Sequence, residues 1–440
     1  MSVTEELAKA RDLLAAGDVR SLLRHLHSAG DTLPPDEVAR LAEGAARLAE
    51  FDDLAQAAAA VAEAGDHSGA EDARLLYAFG YACIDHGLSD LAVRPLARAL
   101  ELAPDSAAVL SELVVALEHD RQYARAVAVL EAHEPVMGWL NRFQYVYNAI
   151  MAGALDKAAE GFGRLPEPED AAWIPARQKV RRMLARADIA RAVTPLNHQD
   201  LRGWHYVLTG GVLESLSPYG FDAGMTGRWA YVGDSIDGCA AALQRLKRSS
   251  RPPAPSRRRW RCCPTGQARS SAPRPPRRSA CRRWTSTPAS QPRSLVVAYD
   301  LTQTDPAAVA ALRQRAPGQI LLERATCWTD PPRVTADVSG LLSQVVTPPW
   351  AGRLGRLPDG GVGSGPADDR PIEVIAGEIV RTTPQQDHGD GGAPPDPDED
   401  LRRFVETVTS ARAHDRGRQW LGGIREYVAD AGPVPSSRFL

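Results

Sequence analysis

The chain has 440 residues, of which 44% are hydrophobic, and a formal net charge of −3. This length predicts two or three domains, each with a core of its own. No uncharged apolar run approaches the roughly 18 residues that a membrane-spanning helix needs, and the charged N-terminus has no apolar segment typical of a secretion signal. The six cysteines are scattered, unlike a disulfide framework. We therefore predict a cytoplasmic protein with no membrane partner.

The N-terminal part, residues 1–190, is rich in Ala and Leu at helical spacing and is interrupted by short Gly and Asp turns. Its clearest unit is "ARLLYAFGYACIDHGLSDLAVRPLARALELAPDS", residues 73–106. This unit resembles the tetratricopeptide repeat. The matching positions are Leu76, Phe79, Gly80 and Cys83 on the first helix, Gly87 at the turn, Ala92, Leu96 and Ala99 on the second helix, and Pro104 at the end.

Weaker copies flank this unit. One begins at residue 107 and ends early at Pro135, another contains Gly153, and degraded copies cover residues 5–65, where Gly17 marks a turn. The resemblance implies an α-helical solenoid of stacked helix pairs with a concave wall built from first helices. An unrelated helical bundle is the alternative.

Mapping the groove positions of the tetratricopeptide family onto this chain implies a binding surface for a protein or peptide partner. The family's lysine and asparagine set for a terminal carboxylate is missing. The alternative is that some of these side chains pack against a neighbouring domain. The implied groove residues are Arg74, Tyr77, Tyr81 and Asp85 in one repeat, Ser111, Val115, Glu118 and His119 in the next, and Phe143, Tyr147 and Met151 in the third.

Residues 191–247 form a glycine-rich stretch with a concentration of aromatic residues. Such a stretch can line a ligand pocket, but docking between a solenoid and another domain is the favoured interpretation. A helix is predicted to follow at "DSIDGCAAALQRLK". The aromatic residues are Trp204, Tyr206, Tyr219, Phe221, Trp229 and Tyr231.

Residues 248–293 contain thirteen Arg, nine Pro and no acidic residue, so that the remainder of the chain carries −16. An RNA-binding arm, a solvated linker and a shifted reading frame could each give this composition. Back-translation into another frame yields strand- and helix-like text, which favours the frameshift and removes any nucleic-acid role or metal site at Cys262 and Cys263. As written, the segment predicts disordered coil, because it has no large aliphatic side chain to bury.

The following part, residues 294–384, predicts the remainder of an α/β domain with parallel strands. "SLVVAYDL" and "GQILLERATCW" are strands, and a helix capped by Asp305 lies between them. Ligands bind at the carboxyl ends of such strands, which singles out Asp300, Thr302 and Thr304. The order of elements resembles a phosphoribosyltransferase, but that family's paired acidic residues and phosphate loop are absent, so the resemblance implies topology alone.

Three further predictions cover the C-terminal part. "GGVGSGPADD" (360–369) is a loop, "IEVIAGEIV" (372–380) is a strand, and residues 385–400 are an acidic linker. Residues 401–440 are predicted to form two helices, "LRRFVETVTSARAHD" and "RQWLGGIREYVADA".

No catalytic, cofactor-binding or metal-binding motif stands out in the chain. The sequence therefore favours a bacterial-type interaction or scaffolding protein over an enzyme, with the solenoid groove holding a protein or peptide. The alternative function is an enzyme or sensor that binds a phosphorylated small molecule on the α/β domain.

Overall fold

The computed structural model divides the chain into two compact regions, a helical region, Met1–Arg181, and an α/β region, Arg182–Leu440. The boundary falls inside one helix, α11 (Ile174–Arg191). The structure describes residues 2–30, 32–64, 70–218, 224–249, 260–262, 295–316, 318–352, 354–356, 361–385, 396–414, 423–425, 427–428 and 432–436.

The helical region is a run of short helices, each packed mainly on its neighbours in the chain, which is the arrangement of a helical repeat. Their bounds are α1 (Val3–Ala15), α2 (Val19–Ala29), α3 (Pro35–Leu48), α4 (Asp52–Ala64), α5 (Ala70–Asp85), α6 (Ser89–Leu102), α7 (Ala107–His119), α8 (Tyr123–Ala132), α9 (Trp139–Met151) and α10 (Leu155–Arg164).

One left-handed residue separates the two helices of each successive pair. These residues are Gly17, Glu50, Gly87, Arg121 and Gly153, with φ between 58° and 78°. They lie 33, 37, 34 and 32 positions apart. Because a left-handed backbone suits glycine best, the turns predicted at Gly17 and Gly87 are confirmed, whereas the turns at Glu50 and Arg121 carry no glycine signal.

Small residues let the two helices of the central pair approach closely. A Cβ added to Gly80 on α5 would lie 2.5 Å from Cγ of Leu96 on α6. Ala92 and Ala99 are fully buried on α6, so that the apolar stripe of α5, with Phe79 and Cys83, packs directly on them. The predicted packing positions of residues 73–106 are therefore confirmed.

The α/β region contains a sheet whose described strand pairings are all parallel, in the order β1-β7-β6-β4-β3, with β2 also pairing with β7. The strands are β1 (Val212–Leu213), β2 (Trp229–Gly233), β3 (Trp260–Cys262), β4 (Leu295–Ala298), β6 (Ile320–Cys327) and β7 (Val338–Thr347). The helices are α12 (Leu201–Thr209), α13 (Ile236–Ser249), α14 (Pro306–Leu312), α15 (Ile372–Arg381) and α16 (Asp398–His414).

The predicted β-α-β order after residue 293 is confirmed. β4 and β6 pair in parallel, and α14 lies between them in the chain. Its cap is the predicted one, because the Asp305 carboxylate accepts hydrogen bonds from the backbone N–H groups of Ala307 and Ala308. The predicted helices at "DSIDGCAAALQRLK" and "LRRFVETVTSARAHD" are also confirmed as α13 and α16.

Three C-terminal predictions are wrong. "IEVIAGEIV" forms α15, because its apolar residues recur at helical as well as at alternate positions. The predicted loop 360–369 contains β9 (Val362–Ser364), antiparallel to β8 (Leu354–Arg356). Where a last helix was expected, β10 (Gly423–Ile424) pairs with β5 (Gln314–Arg315).

The Arg- and Pro-rich segment is described at five residues. Residues 248–249 end α13, and β3 pairs with β4 in parallel. The expected coil is therefore wrong at 260–262, and the described β4 has a strand on each side. The rest of the segment, and with it the frameshift hypothesis, lies outside the described residues.

The aromatic stretch 191–247 supplies α12, β1, β2 and α13 of the α/β region. Trp204 and Tyr206 are fully buried, and the Tyr206 ring packs edge-on against Phe404 of α16 at 5.7 Å. Tyr231 is 59% exposed. Tyr219 and Phe221 lie outside the described residues.

The predicted acidic linker contributes a buried carboxylate. Asp396 accepts hydrogen bonds from the guanidinium groups of Arg202 and Arg245, and the Asp396 side chain is 7% exposed. A charge at this depth requires such partners, so residues 396–400 belong to the folded α/β region. Among the described helices, none is both long and apolar enough to cross a membrane.

Candidate functional site

The predicted groove residues of α5 form a partly exposed row. Tyr77 and Tyr81 lie one helical turn apart with ring centroids separated by 6.2 Å, and Tyr81 is 44% exposed. Arg74 and Asp85 extend the row at its two ends and are exposed. Because neighbouring rings on one helix face offer a large area at little conformational cost, this row can contact an apolar partner.

Acidic side chains of α7 border the tyrosine row. Burial, and then the charge of Glu112, raises the pKa of Tyr77. Burial, and then the charge of Asp85, raises the pKa of Glu112 itself. Tyr77 and Asp85 of α5 therefore lie close to Glu112 of α7, and the junction between the two helices is acidic.

The junction between α7 and α9 is polar and largely buried. Asn141 Nδ2 donates to Ser111 Oγ at 2.8 Å, and Gln144 Nε2 donates to the Ser111 carbonyl at 3.4 Å. Two helical turns after Asn141 on α9, Asn148 Nδ2 donates to Glu118 Oε1 at 2.5 Å. These three bonds hold the first helices side by side.

Glu118 and Asn148 are both largely buried at this junction. Burial raises the pKa of Glu118 to about 7, against the opposing effects of Asn148 and Lys179. Oδ1 of Asn148 is buried and accepts no hydrogen bond from the described residues. An unsatisfied buried carbonyl of this kind is costly, and Asn148 is 0% exposed, so it belongs to the packed junction between α7 and α9.

An aromatic row on α9 continues the surface. The rings of Trp139 and Phe143 stack with centroids 5.7 Å apart, and those of Phe143 and Tyr147 with centroids 6.3 Å apart. Trp173 contacts Trp139 and Phe143 and is 39% exposed. Lys179 of α11 lies over the Tyr147 ring, 5.6 Å from its centroid.

We call the surface formed by these side chains of α5, α7, α9 and α11 the first-helix face. It joins two aromatic rows through an acidic junction. Sequence mapping found Tyr77, Tyr81, Glu118, Phe143 and Tyr147, whose places on this face the structure gives. It missed the remaining members, of which Trp139 shows in the sequence through its i, i+4 spacing to Phe143. The missed members are Glu112, Trp139, Asn148, Trp173 and Lys179.

The remaining mapped residues of α7 and α9 differ in their surroundings from the aromatic rows. Met151 is 1% exposed and is therefore part of the core. His119 Nδ1 lies 2.9 Å from Ser89 Oγ, which ties the end of α7 to the start of α6. Ser111 is engaged with α9, and Val115 is partly buried.

The candidate residues at the end of β4 bond with one another. The backbone N–H and Oγ1 of Thr302 donate to Asp300 Oδ1 at 2.8 and 2.6 Å. Thr304 Oγ1 donates to the Asp300 carbonyl at 2.8 Å, and burial raises the pKa of Asp300. This is a closed turn, and its acidic centre is unfavourable for a phosphate.

Comparisons with known proteins indicate no function, so function is inferred from the geometry of the site. No protein-family model matches the sequence, and no curated protein is significantly similar to it. Among the described residues, no group of three or more His, Cys, Asp or Glu side chains could hold a metal ion.

Proposed function

We propose that the helical region is a tetratricopeptide-type solenoid and that its first-helix face binds an extended protein or peptide segment. The observation that carries the proposal is the pair of partly exposed aromatic rows, Tyr77–Tyr81 on α5 and Trp139–Phe143–Tyr147 on α9, with the first helix α7 between them. The left-handed turns at intervals of 32 to 37 residues support the repeat assignment, since the tetratricopeptide unit has about 34 residues.

The charges favour a partner with a cationic side chain between apolar ones. Glu112 and Glu118 of α7 lie between the aromatic rows, and Asp85 at the end of the tyrosine row raises the pKa of Glu112. A Lys or Arg of the partner placed beside Glu112 would relieve its repulsion with Asp85. The two tyrosines of α5 and the rings of α9 would contact the flanking apolar side chains.

The second candidate function, binding of a phosphorylated small molecule, receives less support. Its proposed residues Asp300, Thr302 and Thr304 satisfy one another. A phosphate site would need free donors. We therefore prefer the scaffolding or adaptor role.

Selection of phage-displayed random peptides on the full-length protein tests this proposal. We expect enriched peptides to carry a Lys or Arg flanked by apolar or aromatic residues. Tyr77→Ala combined with Tyr147→Ala should weaken binding of an enriched peptide at least tenfold, because truncating an aromatic anchor costs about 2 kcal/mol or more.

The matched control is Tyr231→Ala, which removes an exposed tyrosine of the α/β region and should leave binding unchanged. No enrichment over the double variant, or equal affinity of both proteins for the selected peptides, would refute a role for the first-helix face.

A further inference from the structure

A small cavity in the α/β region lies beside the carboxyl-terminal half of β6. Its volume is about 60 Å³, which equals the share of about two water molecules in the liquid. Its polar lining residues are His205, Thr209, Glu323, Thr326, Cys327, Thr335 and Ser339. The apolar wall consists of Trp328, Pro331, Pro332, Ala336, Leu342 and Val428.

His205 lines this cavity and has a buried ring nitrogen without a partner among the described residues. The residue is 9% exposed, and its Nε2 is buried without a hydrogen-bond partner among the described residues. Burial, and then the charge of Arg228, lowers the pKa of His205 to about 4, so the ring is neutral at pH 7. A neutral imidazole nitrogen either donates or accepts one hydrogen bond, according to its tautomer.

Glu323 is the first member of a chain of hydrogen-bonded side chains that continues through Thr326 and Ser339. Its Oε1 accepts from the backbone N–H of Leu301 at 2.7 Å, and its Oε2 lies 2.6 Å from Thr326 Oγ1. Thr326 Oγ1 in turn lies 3.2 Å from Ser339 Oγ. Burial raises the pKa of Glu323 to about 8, so this carboxyl carries a proton at pH 7 and the chain ends in hydroxyl groups.

Charge and size restrict the occupant. Neither Arg nor Lys is among the described residues that line the cavity, so a carboxylate or phosphate would enter without a counter-charge, which is costly. The volume admits a group of about three heavy atoms. Cys327, Pro331, Thr335 and Val428 are only partly buried, and they form the side through which the rest of a ligand can extend.

We propose that this cavity binds the amide or lactam edge of an uncharged, planar small molecule. Such an edge offers a donor and an acceptor side by side, one for the imidazole ring of His205 and one for the hydroxyl groups of Thr326 and Ser339. The Trp328 indole and the two prolines contact the flat apolar remainder. This site is separate from the first-helix face and does not depend on the function proposed there.

Benzamide and benzoate are the test pair, because benzamide carries a neutral amide where benzoate carries a charged carboxylate. With the full-length protein, saturation-transfer NMR should detect benzamide, and the ring ¹⁵N resonances of His205 should shift as benzamide is added. Benzoate should bind at least tenfold more weakly. Equal binding of both, or no binding of benzamide at millimolar concentration with only ordered water in the cavity, would overturn the proposal.

His205→Phe separates binding from folding. The substitution keeps a planar ring of similar size and removes an unsatisfied nitrogen, so it should not destabilise the protein, yet it should abolish benzamide binding. His198→Gln, at an exposed histidine of the same region, is the matched control and should bind normally. Should His205→Phe fold poorly, Ser339→Ala gives the same readout, and unchanged benzamide affinity in the folded variant would contradict the proposal.

Discussion

In the helical region, the hydrogen bonds between Ser111 and Asn141 and between Glu118 and Asn148 join residues 30 positions apart, and the longest, between Arg94 and Gly30, spans 64 positions. In the α/β region, ion pairs join residues 88, 90 and 194 positions apart, and their charged groups are buried. Each helix pair therefore depends on its immediate neighbours, whereas the sheet requires distant segments to meet before its charges are neutralised. A single substitution should therefore disturb a larger part of the α/β region than of the helical region.

The largest effect is expected from the buried ion pair of the α/β region. The Asp234 carboxylate accepts from Nε and Nη2 of Arg324 at 3.0 and 3.1 Å and from the Tyr299 hydroxyl at 3.0 Å. Asp234→Ala leaves the guanidinium uncompensated and should destabilise this region by about 3–5 kcal/mol. Hydrogen exchange should show lost protection in β4 and β6 and unchanged protection in α5 and α6.

Asp237→Ala is the control for this substitution, since Asp237 is only partly buried and accepts one hydrogen bond, from the Gln385 backbone. Equal loss of protection in α5 and α6 would contradict the difference between the regions.

The next effect is a pH dependence of the α/β region. Burial raises the pKa values of Glu214 and Glu323 to about 8. A raised pKa in the folded state means that stability is present below the unfolded value of about 4.5 and is lost as pH rises through 8. Each carboxyl should cost up to about 3 kcal/mol between pH 4.5 and pH 7, and His205, with its pKa lowered to about 4, should act oppositely between pH 4 and 6.5.

Urea unfolding of Glu214→Gln and Glu323→Gln measures this dependence. Each variant should lose less stability than the wild type between pH 5 and 8. Glu118→Gln in the helical region should reduce the pH dependence of stability by a smaller amount, because the pKa of Glu118 is about 7. Parallel pH profiles for all four proteins would show that these carboxyls do not titrate as expected.

A smaller effect distinguishes two helical glycines. Gly80→Ala places a methyl group 2.5 Å from Leu96 Cγ, and overpacking of this kind costs about 1–3 kcal/mol. Gly163→Ala meets nothing within 4 Å and should stabilise α10 by up to about 1 kcal/mol, because alanine favours helix. Thermal unfolding followed by circular dichroism should give shifts of opposite sign, and equal shifts would argue against the close approach of α5 and α6.

The smallest effect concerns the turns between helices. Arg121 has φ of 58°, a conformation that costs most side chains about 1 kcal/mol. Arg121→Gly should therefore stabilise the helical region by about 0.5–1 kcal/mol, whereas Arg121→Ala keeps the strain and should not. Denaturant midpoints measure both variants, and an equal gain for Ala and Gly would attribute the effect to the lost side chain.

Local signals in the sequence were sufficient for elements whose pattern and packing agree. The cap at Asp305, the buried strands β4 and β6 and the close-packed residues of 73–106 were predicted because helical period, capping and apolar runs act over a few residues. "IEVIAGEIV" failed because a short apolar run fits a helix or a strand equally well. Its role as α15 depends on what packs against it.

The sequence by itself determined that a helical repeat precedes an α/β region, since both follow from periodicity. Only the tertiary structure decided that Asp396 pairs with Arg202 and Arg245, that Met151 is core, and that His205 faces a cavity with Glu323 and Ser339. The ion-pair and cavity residues meet across separations of about 120 to 200 positions, and the geometry of such encounters is set by the packing of the whole sheet, which no local pattern encodes.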